Sequence, residues 1–408
     1  MKILVTGGNF NNKGAQAMLM ITMSELKKHY PDAKLIFDSQ EANVDVGDYY
    51  FEHIDRDVLR TALAIKSGAY SAVKGLYEAA KHAVWAFRDH KYKEIFAEYK
   101  YLKMLEDLKI VIDISGYNLS SKFSMRHNLL YLDIIRYAGQ CGMKVFLMPQ
   151  SFGPFEYGDA KEQMTGVIKD AFAKTELVFA REQEGYDLMQ GMGIRNLRLS
   201  CDLVLQNSEV NWSSIKKTPL KYGFDKLETQ KNVLLVPNQK IFDHMKDDER
   251  LYRMYSKVME KILSYGNDIY LVYHSNEDLK ICRKLQADNV SDRIHIVEQE
   301  LAFYEYERVV AQCRYALASR FHSIVLAYRQ SVPCIALGWA EKYDNLLESC
   351  GQQKYVNSIL DESMEDSILK CVEVMEENCQ NEKQIIADKL GVIRQNYCFD
   401  EVFSSLME

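Results

Sequence analysis

The sequence predicts an α/β protein of two doubly wound halves. Apolar runs of strand length alternate with helical patterns, the alternation breaks once, over residues 206–231, and it then resumes. The length of 408 residues exceeds most single cores. Domains of about 150–200 residues each are the natural division.

The first domain is expected over residues 1–205. It opens with KILVTG (2–7), a strand that runs into the turn TGGNFNNKGAQ and a helix from about Ala15. KLIFDS (34–39), KIVIDISG (109–116), KVFLMPQS (144–151), LVFAR (177–181) and LRLSCDLVL (197–205) supply further strands. Residues 56–103 read as a helical insertion carrying ten Lys or Arg against five Asp or Glu, with Tyr77, Trp85 and Phe87 among its interleaved aromatics. Such a segment either packs its rings on the domain or lies on an anionic membrane surface. The polar stretch 206–231 reads as a linker. The second domain, 232–360, has strands at NVLLVPN (232–238), DIYLVYHS (268–275), RIHIVEQ (293–299), RYALASR (314–320) and PCIALG (333–338). Residues 361–408 are helical, and packing back on the first domain is one course open to them. Rossmann-like halves of this kind face one another across a cleft.

Composition, with 47% hydrophobic and 27% charged residues, is that of a globular protein. No run approaches the ~20 apolar residues that span a bilayer, and MKILVTGG reads as a strand rather than a secretory signal. A cytoplasmic protein is expected, with the inner face of a membrane as a further position through 56–103. Nine cysteines without a C-x-x-C pair or a histidine at ligand spacing argue against a disulfide framework and a zinc site. A formal charge of −7 gives no reason to expect nucleic acid.

Ligands of open α/β sheets bind beyond the carboxyl ends of the strands, so the informative residues follow each apolar run. After the first strand stand Asn9, Asn11, Lys13 and Gly14, at a helix N-terminus whose N–H groups can face an anion or a sugar hydroxyl. This loop is neither G-x-G-x-x-G nor G-x-x-x-x-G-K-[ST], which removes the dinucleotide and P-loop readings. Ser115, Gly116, Tyr117 and Asn118 follow the third run, Gln150 and Ser151 the fourth, and Arg181 and Glu182 the fifth. In the second half Asn238 follows one strand and Arg320, Phe321 and His322 another, while Lys342 opens the next helix. Singly, each cation reads as a salt-bridged surface residue. Together they describe a cleft with several positive groups and no acidic metal ligands, which suits a small polyanion bound without metal or cofactor.

The segments MPQSFGPF (148–155), AREQEGYDLM (180–189) and SRFHSIVLAYRQSVPCIALGWAEKYDNLLESCG (319–351) resemble the polysaccharide pyruvyl transferases. The resemblance spans about residues 1–351. It implies a fold similar to the GT-B glycosyltransferases, with phosphoenolpyruvate as donor and a sugar hydroxyl pair as acceptor. The product would be a pyruvate ketal on a surface polysaccharide or its lipid-linked precursor. The family's Arg-x-His falls on Arg320 and His322, its following lysine on Lys342 and its Arg-Glu arginine on Arg181. His322, Arg181 and Lys342 are then the catalytic candidates, and Arg320 and Phe321 join them around the donor. Glu182 and Asp113 are candidates for protonating the methylene carbon. Two departures, SGYN at 115–118 and GAQ at 14–16, fall in loops that would face the acceptor. The acceptor candidates are therefore Asn9, Asn11, Lys13, Gly14, Gly116, Asn118, Gln150 and Ser151. The rival readings are a GT-B-type glycosyltransferase using a nucleotide sugar and a non-catalytic anion- or sugar-binding protein. The first lacks an acidic residue placed for a ribose, and the second has no need of His322.

Overall fold

The computed structural model describes residues 1–39, 44–88, 102–222, 227, 231–338 and 342–407. The first sheet holds β1 (Lys2–Thr6), β2 (Lys34–Ser39), β3 (Phe51–Asp55), β4 (Leu108–Asp113), β5 (Tyr117–Leu119), β6 (Lys144–Phe152), β7 (Leu177–Ala180) and β8 (Leu197–Leu199). Their order is β3-β2-β1-β4-β6-β7-β8, with β5 attached to β6. The second sheet holds β9 (Asn232–Val236), β10 (Asp268–Leu271), β11 (Ile294–Ile296), β12 (Cys313–Ala318), β13 (Cys334–Gly338) and β14 (Val356–Ser358), in the order β11-β10-β9-β12-β13-β14. Every pairing between these strands is parallel. Both sheets are therefore wound by crossovers and covered on both faces.

Side-chain alternation explains the continuous apolar runs of the first sheet. In β1 and β4, Ile3, Val5, Ile110 and Ile112 enter one core, while Leu4 and Val111 enter a second on the opposite face. The first of these cores continues without interruption into the second sheet, through Leu203, Leu205, Val233, Ile324 and Phe399. Helix Lys13–His29 is the reason. It is buried on nearly every side from Lys13 to Leu26 because it lies between the two sheets, and its sequence AMLMITM is accordingly apolar all round.

Several elements differ from the sequence reading. The run 197–205 is a strand only to Leu199. Asp202 then accepts the amide of Val204 at 2.9 Å and caps the short helix Leu203–Gln206, so the apolar LVL is helical. Strands β3, β5 and β14 went unread because FEHID, YNL and VNS lack an apolar run. In the 56–103 segment, helix Arg56–Lys66 is capped by Asp55 and buries Val58, Leu59, Ala62 and Leu63, and helix Ala72–Arg88 follows. Residues 89–101 lie outside the described residues. The stretch 206–231 is packed where described: Val210, Ile215 and Leu227 are buried, and Lys216 pairs with Tyr49 beside β3.

The C-terminal region binds both halves. Helix Met364–Gln395 carries Glu376, which accepts from Asn267 Nδ2 at 2.6 Å and from Arg314 Nη2 at 3.0 Å on the second half. Helix Cys398–Met407 lies on the first half, where the Ser405 carbonyl accepts from Lys144 Nζ at 2.8 Å and Phe403 stacks on His29.

Polar fastening of the halves centres on Arg329, whose side chain is 4% exposed. Its Nε and Nη2 donate to the carbonyl and Oδ1 of Asn207 at 3.0 and 2.9 Å, and its Nη1 pairs with Glu307. Asn207 Nδ2 donates in turn to Glu25 of helix Lys13–His29 at 3.2 Å. Replacing Arg329 by Met leaves Glu307 buried without its cation, which costs about 3–5 kcal/mol. Urea denaturation should register this loss, and adding Glu307→Leu should recover part of it; an Arg329→Met protein as stable as the parent would contradict the hub.

Candidate functional site

The cleft is set by where the chain reverses direction in each sheet. In the second sheet β9 lies between β10 and β12, so the ends of β9 and β12 form the crevice. Asn238 closes it, donating from Nδ2 to the Ser319 carbonyl at 2.9 Å. Arg320, Phe321 and His322 then start helix Phe321–Arg329, with Arg320 in the extended N-cap conformation. His322 meets the first half directly. A Cβ on Gly14 would fall 2.0 Å from the His322 ring, so only glycine allows this approach.

Two clusters flank His322. In the first, Arg181 is 7% exposed and donates from Nε to Glu182 Oε1 at 2.8 Å, from Nη1 to Asp202 Oδ2 at 2.9 Å and from Nη2 to Ser151 Oγ at 2.6 Å. The Ser151 hydroxyl donates in turn to Glu182 Oε1 at 2.8 Å. Phe321 lies between two cations, with the Arg181 guanidinium 5.0 Å and the Lys342 Nζ 5.1 Å from its ring centre. Glu182, Asp202, Phe321 and Lys342 line one pocket with Asn345. Among the described residues Lys342 has no ion-pair partner within 4.0 Å. Burial pushes its pKa down to about 8, Arg181 and Lys240 push the same way, Glu182 opposes and Lys122 adds a smaller push.

In the second cluster Arg320 turns to Asp278, donating from Nε at 3.0 Å and from Nη2 at 2.7 and 2.6 Å. The Asp278 side chain is fully buried and also accepts the amides of Gln239 and His274. Lys13 belongs here. Burial lowers its pKa and Glu300 opposes, with Arg320 and Asp278 also felt. Lys13 and Gly14, grouped by the sequence with the acceptor, thus sit against the second half. His322 stands between the clusters with Nε2 shielded from solvent and no hydrogen-bond partner. Burial lowers its pKa to about 4; Asp202 opposes, and Arg181 and Lys342 add to the lowering. Its imidazole is neutral at pH 7.

The remaining candidates divide between open and sealed positions. Asn9 Oδ1 accepts the Asn12 amide at 2.8 Å, and Asn11 is exposed on the same loop. Asn12 accepts the amides of Gly14 and Ala15, so the expected free N–H groups at this helix start are already engaged by its own cap. Gly116 takes a positive φ of 70° and its carbonyl receives the Ser151 amide at 2.9 Å. Asn118 Oδ1 lies 2.5 Å from His127 Nε2. Gln150 is fully buried, donating to Asp113 Oδ1 at 3.0 Å and accepting from Tyr131 at 3.1 Å. Asp113 is 1% exposed and accepts further from Tyr131 and Ser115, while burial raises its pKa to about 6. Of the two proton-donor candidates, Glu182 lines the pocket with Lys342 and Asp113 is sealed beneath the sheet ends.

The cations are not bare, as the sequence suggested. Asp202 and Asp278 neutralise the two arginines, and neither was singled out in the sequence. Each lies a few residues past a strand, where the helix-start position could have flagged it. Lys240 and Lys122 also went unnoticed, because only the fold brings them near Lys342. Among the described residues no group of three His, Cys, Asp or Glu is placed to hold a metal ion.

Solved structures share this architecture. UDP-GlcNAc 2-epimerase from Methanocaldococcus jannaschii is 12% identical, with 92% of each chain covered and a TM-score of 0.55. The Neisseria meningitidis UDP-GlcNAc 2-epimerase is 12% identical over 100% of both chains, with a TM-score of 0.56. The trehalose-6-phosphate synthase OtsA is 9% identical over 99% of this chain and 98% of its own, also at 0.56. At these identities the likeness is one of fold, and the fold is GT-B-like. The family model for polysaccharide pyruvyl transferase matches residues 12–341, a span that contains helix Lys13–His29, Arg181, Arg320 and His322. The chain belongs to the polysaccharide pyruvyl transferase family.

Proposed function

We propose that the protein transfers the pyruvyl group of phosphoenolpyruvate to two hydroxyls of one sugar, in a surface polysaccharide or its lipid-linked precursor. The observation that carries this reading is His322: an imidazole with an unpartnered, shielded Nε2, set between Lys342 and the Arg181 and Arg320 ion pairs. Such a site suits an anion. Arg320, Arg181 and Lys342 hold the carboxylate and phosphate of the donor, and Lys13 adds a cation on the Arg320 side. No metal or cofactor is needed in this scheme.

The atoms balance as follows. The methylene carbon gains a proton and becomes methyl, and the neighbouring carbon becomes electrophilic. One sugar hydroxyl adds there and loses its proton; phosphate leaves as the C–O bond to it breaks; the second hydroxyl closes the ring and loses its proton. Two hydroxyl protons are released, one offsetting the proton on carbon and one leaving with phosphate. A phosphate dianion beside His322 raises the imidazole pKa from about 4 toward neutrality. Binding thus prepares His322 to protonate the departing oxygen, and Glu182, which lines the pocket, is the candidate for protonating the carbon once it carries a proton itself.

A lipid-linked acceptor is supported by helix Ala72–Arg88. Its exposed Tyr77, Val84 and Phe87 are interleaved with exposed Lys74, Lys81 and Arg88, as in helices that lie at an anionic bilayer surface. No helix among the described residues is long and apolar enough to cross a membrane.

Three measurements test the reading. Phosphoenolpyruvate and a panel of galactoside, N-acetylmannosamine and glucuronate acceptors should give acceptor-dependent phosphate and a pyruvyl mass gain, and His322→Ala should cut turnover by ~10²- to 10⁴-fold. Turnover with a nucleotide sugar alone would replace pyruvyl transfer by glycosyl transfer. The raised His322 value makes affinity for phosphoenolpyruvate decline between about pH 4 and neutrality, and because Lys342 is lowered to about 8 in the empty site and the bound anion raises that value, affinity should fall a second time above pH 8. Lys342→Met should abolish this second fall, and an unchanged profile would remove Lys342 from the site. Sedimentation with phosphatidylglycerol vesicles should weaken in Lys74→Glu/Lys81→Glu; equal binding to neutral vesicles would rule out the basic helix as the contact.

A further inference from the structure

The first sheet has its own reversal point, between β1 and β4, and a second crevice opens there. Its polar lining is Thr6, Arg56, Asp57, Arg60, Ser115, Asn118, His127 and Tyr131. Arg60 stands out because, among the described residues, its one polar partner is the Tyr70 hydroxyl, 3.2 Å from Nη1. Its Nε is shielded from solvent and donates to nothing, and no carboxylate among the described residues lies within ion-pair distance. Arg56, one turn earlier, is held by fully buried Asp38 through Nε at 2.9 Å and Nη2 at 3.4 Å, which leaves Nη1 without a hydrogen bond among the described residues.

The neutral lining is just as specific. His127 Nε2 faces the Asn118 carbonyl oxygen, so the neutral ring donates from Nε2 and keeps a lone pair on Nδ1. Burial and the nearby Arg56 both hold its pKa down. Beneath them Asp113 is saturated by Ser115, Gln150 and Tyr131 and fixes the Ser115–Asn118 turn. That turn reaches the donor cluster through one neighbouring strand, since the Ser151 amide binds the Gly116 carbonyl and the Ser151 hydroxyl binds Arg181.

We infer that this crevice binds an acidic sugar through its oxyanion, a carboxylate or a phosphate ester, with Arg60 as the anchoring residue and Asn118 and Ser115 meeting hydroxyls. In the pyruvyl-transfer reading, on which the word acceptor rests, the acceptor is then a charged sugar rather than a neutral one. A guanidinium with a shielded, unused Nε offers the paired N–H geometry that an oxyanion fills.

Direct binding tests this apart from turnover. Methyl β-D-glucuronide, glucose 6-phosphate and methyl β-D-glucoside are titrated calorimetrically into the parent protein and into Arg60→Gln, with phosphoenolpyruvate titrated in parallel. At least one charged sugar should bind about ten-fold or more tightly than the neutral glucoside, and Arg60→Gln should remove that preference. The two charged sugars separate a carboxylate site from a phosphate site. Unaltered binding of phosphoenolpyruvate to Arg60→Gln shows that the variant is folded and that the two sites are distinct. Equal binding of charged and neutral sugars, no binding of either charged sugar at millimolar concentration, or a preference that survives Arg60→Gln would overturn the inference. If the preference appears and is lost in Arg60→Gln while phosphoenolpyruvate binds neither protein, the acidic-sugar crevice stands and the donor assignment falls.

Discussion

The burial of helix Lys13–His29 between the two sheets is the constraint on which the site depends. A helix covered on every side needs apolar residues all round, and the sequence from Ala17 to Met23 supplies them, apart from Thr22, at some cost in amphipathic signal. Its N-terminal turn therefore has no freedom to drift. It brings Gly14 against His322 and Lys13 toward Arg320, so groups from opposite halves become parts of one wall. Interfaces between domains of one chain are commonly modest and polar. Here one apolar core runs through both halves, and the cleft is a fixed feature of the fold rather than a gap between bodies joined by a tether.

Around that wall the charges are organised by buried carboxylates. Asp278 aligns Arg320, and Asp202 with Glu182 aligns Arg181. Breaking such a pair would strand a charge in a poor solvent, so the pairs stay made whether or not a ligand is present. The groups left with unmet demand are Lys342 and His322, both with pKa values displaced toward the neutral form. Burial is the main cause of both displacements, with the neighbouring cations adding to it, and a negative charge placed beside these groups would oppose it.

Much of this was legible in the sequence, for particular reasons. The β1, β4, β6, β9 and β12 runs are buried on both faces and read as continuous apolar segments, so the sheets and their carboxyl ends could be placed. Arg181 stands just after β7, Arg320 and His322 just after β12, and Lys342 opens the helix that follows β13, so these positions could be named. Strands β3, β5 and β14 carry polar residues at sheet margins and left no run to detect. Asp202 was read as part of a strand because LVL has the composition of one, and only the Asp202 cap shows that the chain turns there. Asp278 and Lys122 act across long separations, which no local pattern reports. Lys13 and Gly14 lie on the first-half loop in sequence and on the second-half wall in space.

The pinned arginines have an energetic consequence for whatever binds. Immobilising a long, rotamer-rich side chain at an interface costs about 0.5–1.5 kcal/mol. For Arg181 and Arg320 that ordering was completed when the protein folded, against Asp202, Glu182 and Asp278. In the proposed reading an incoming anion would meet donors whose directions are already set, and the site would then select by the angles between the ligand's oxygens as well as by their charge.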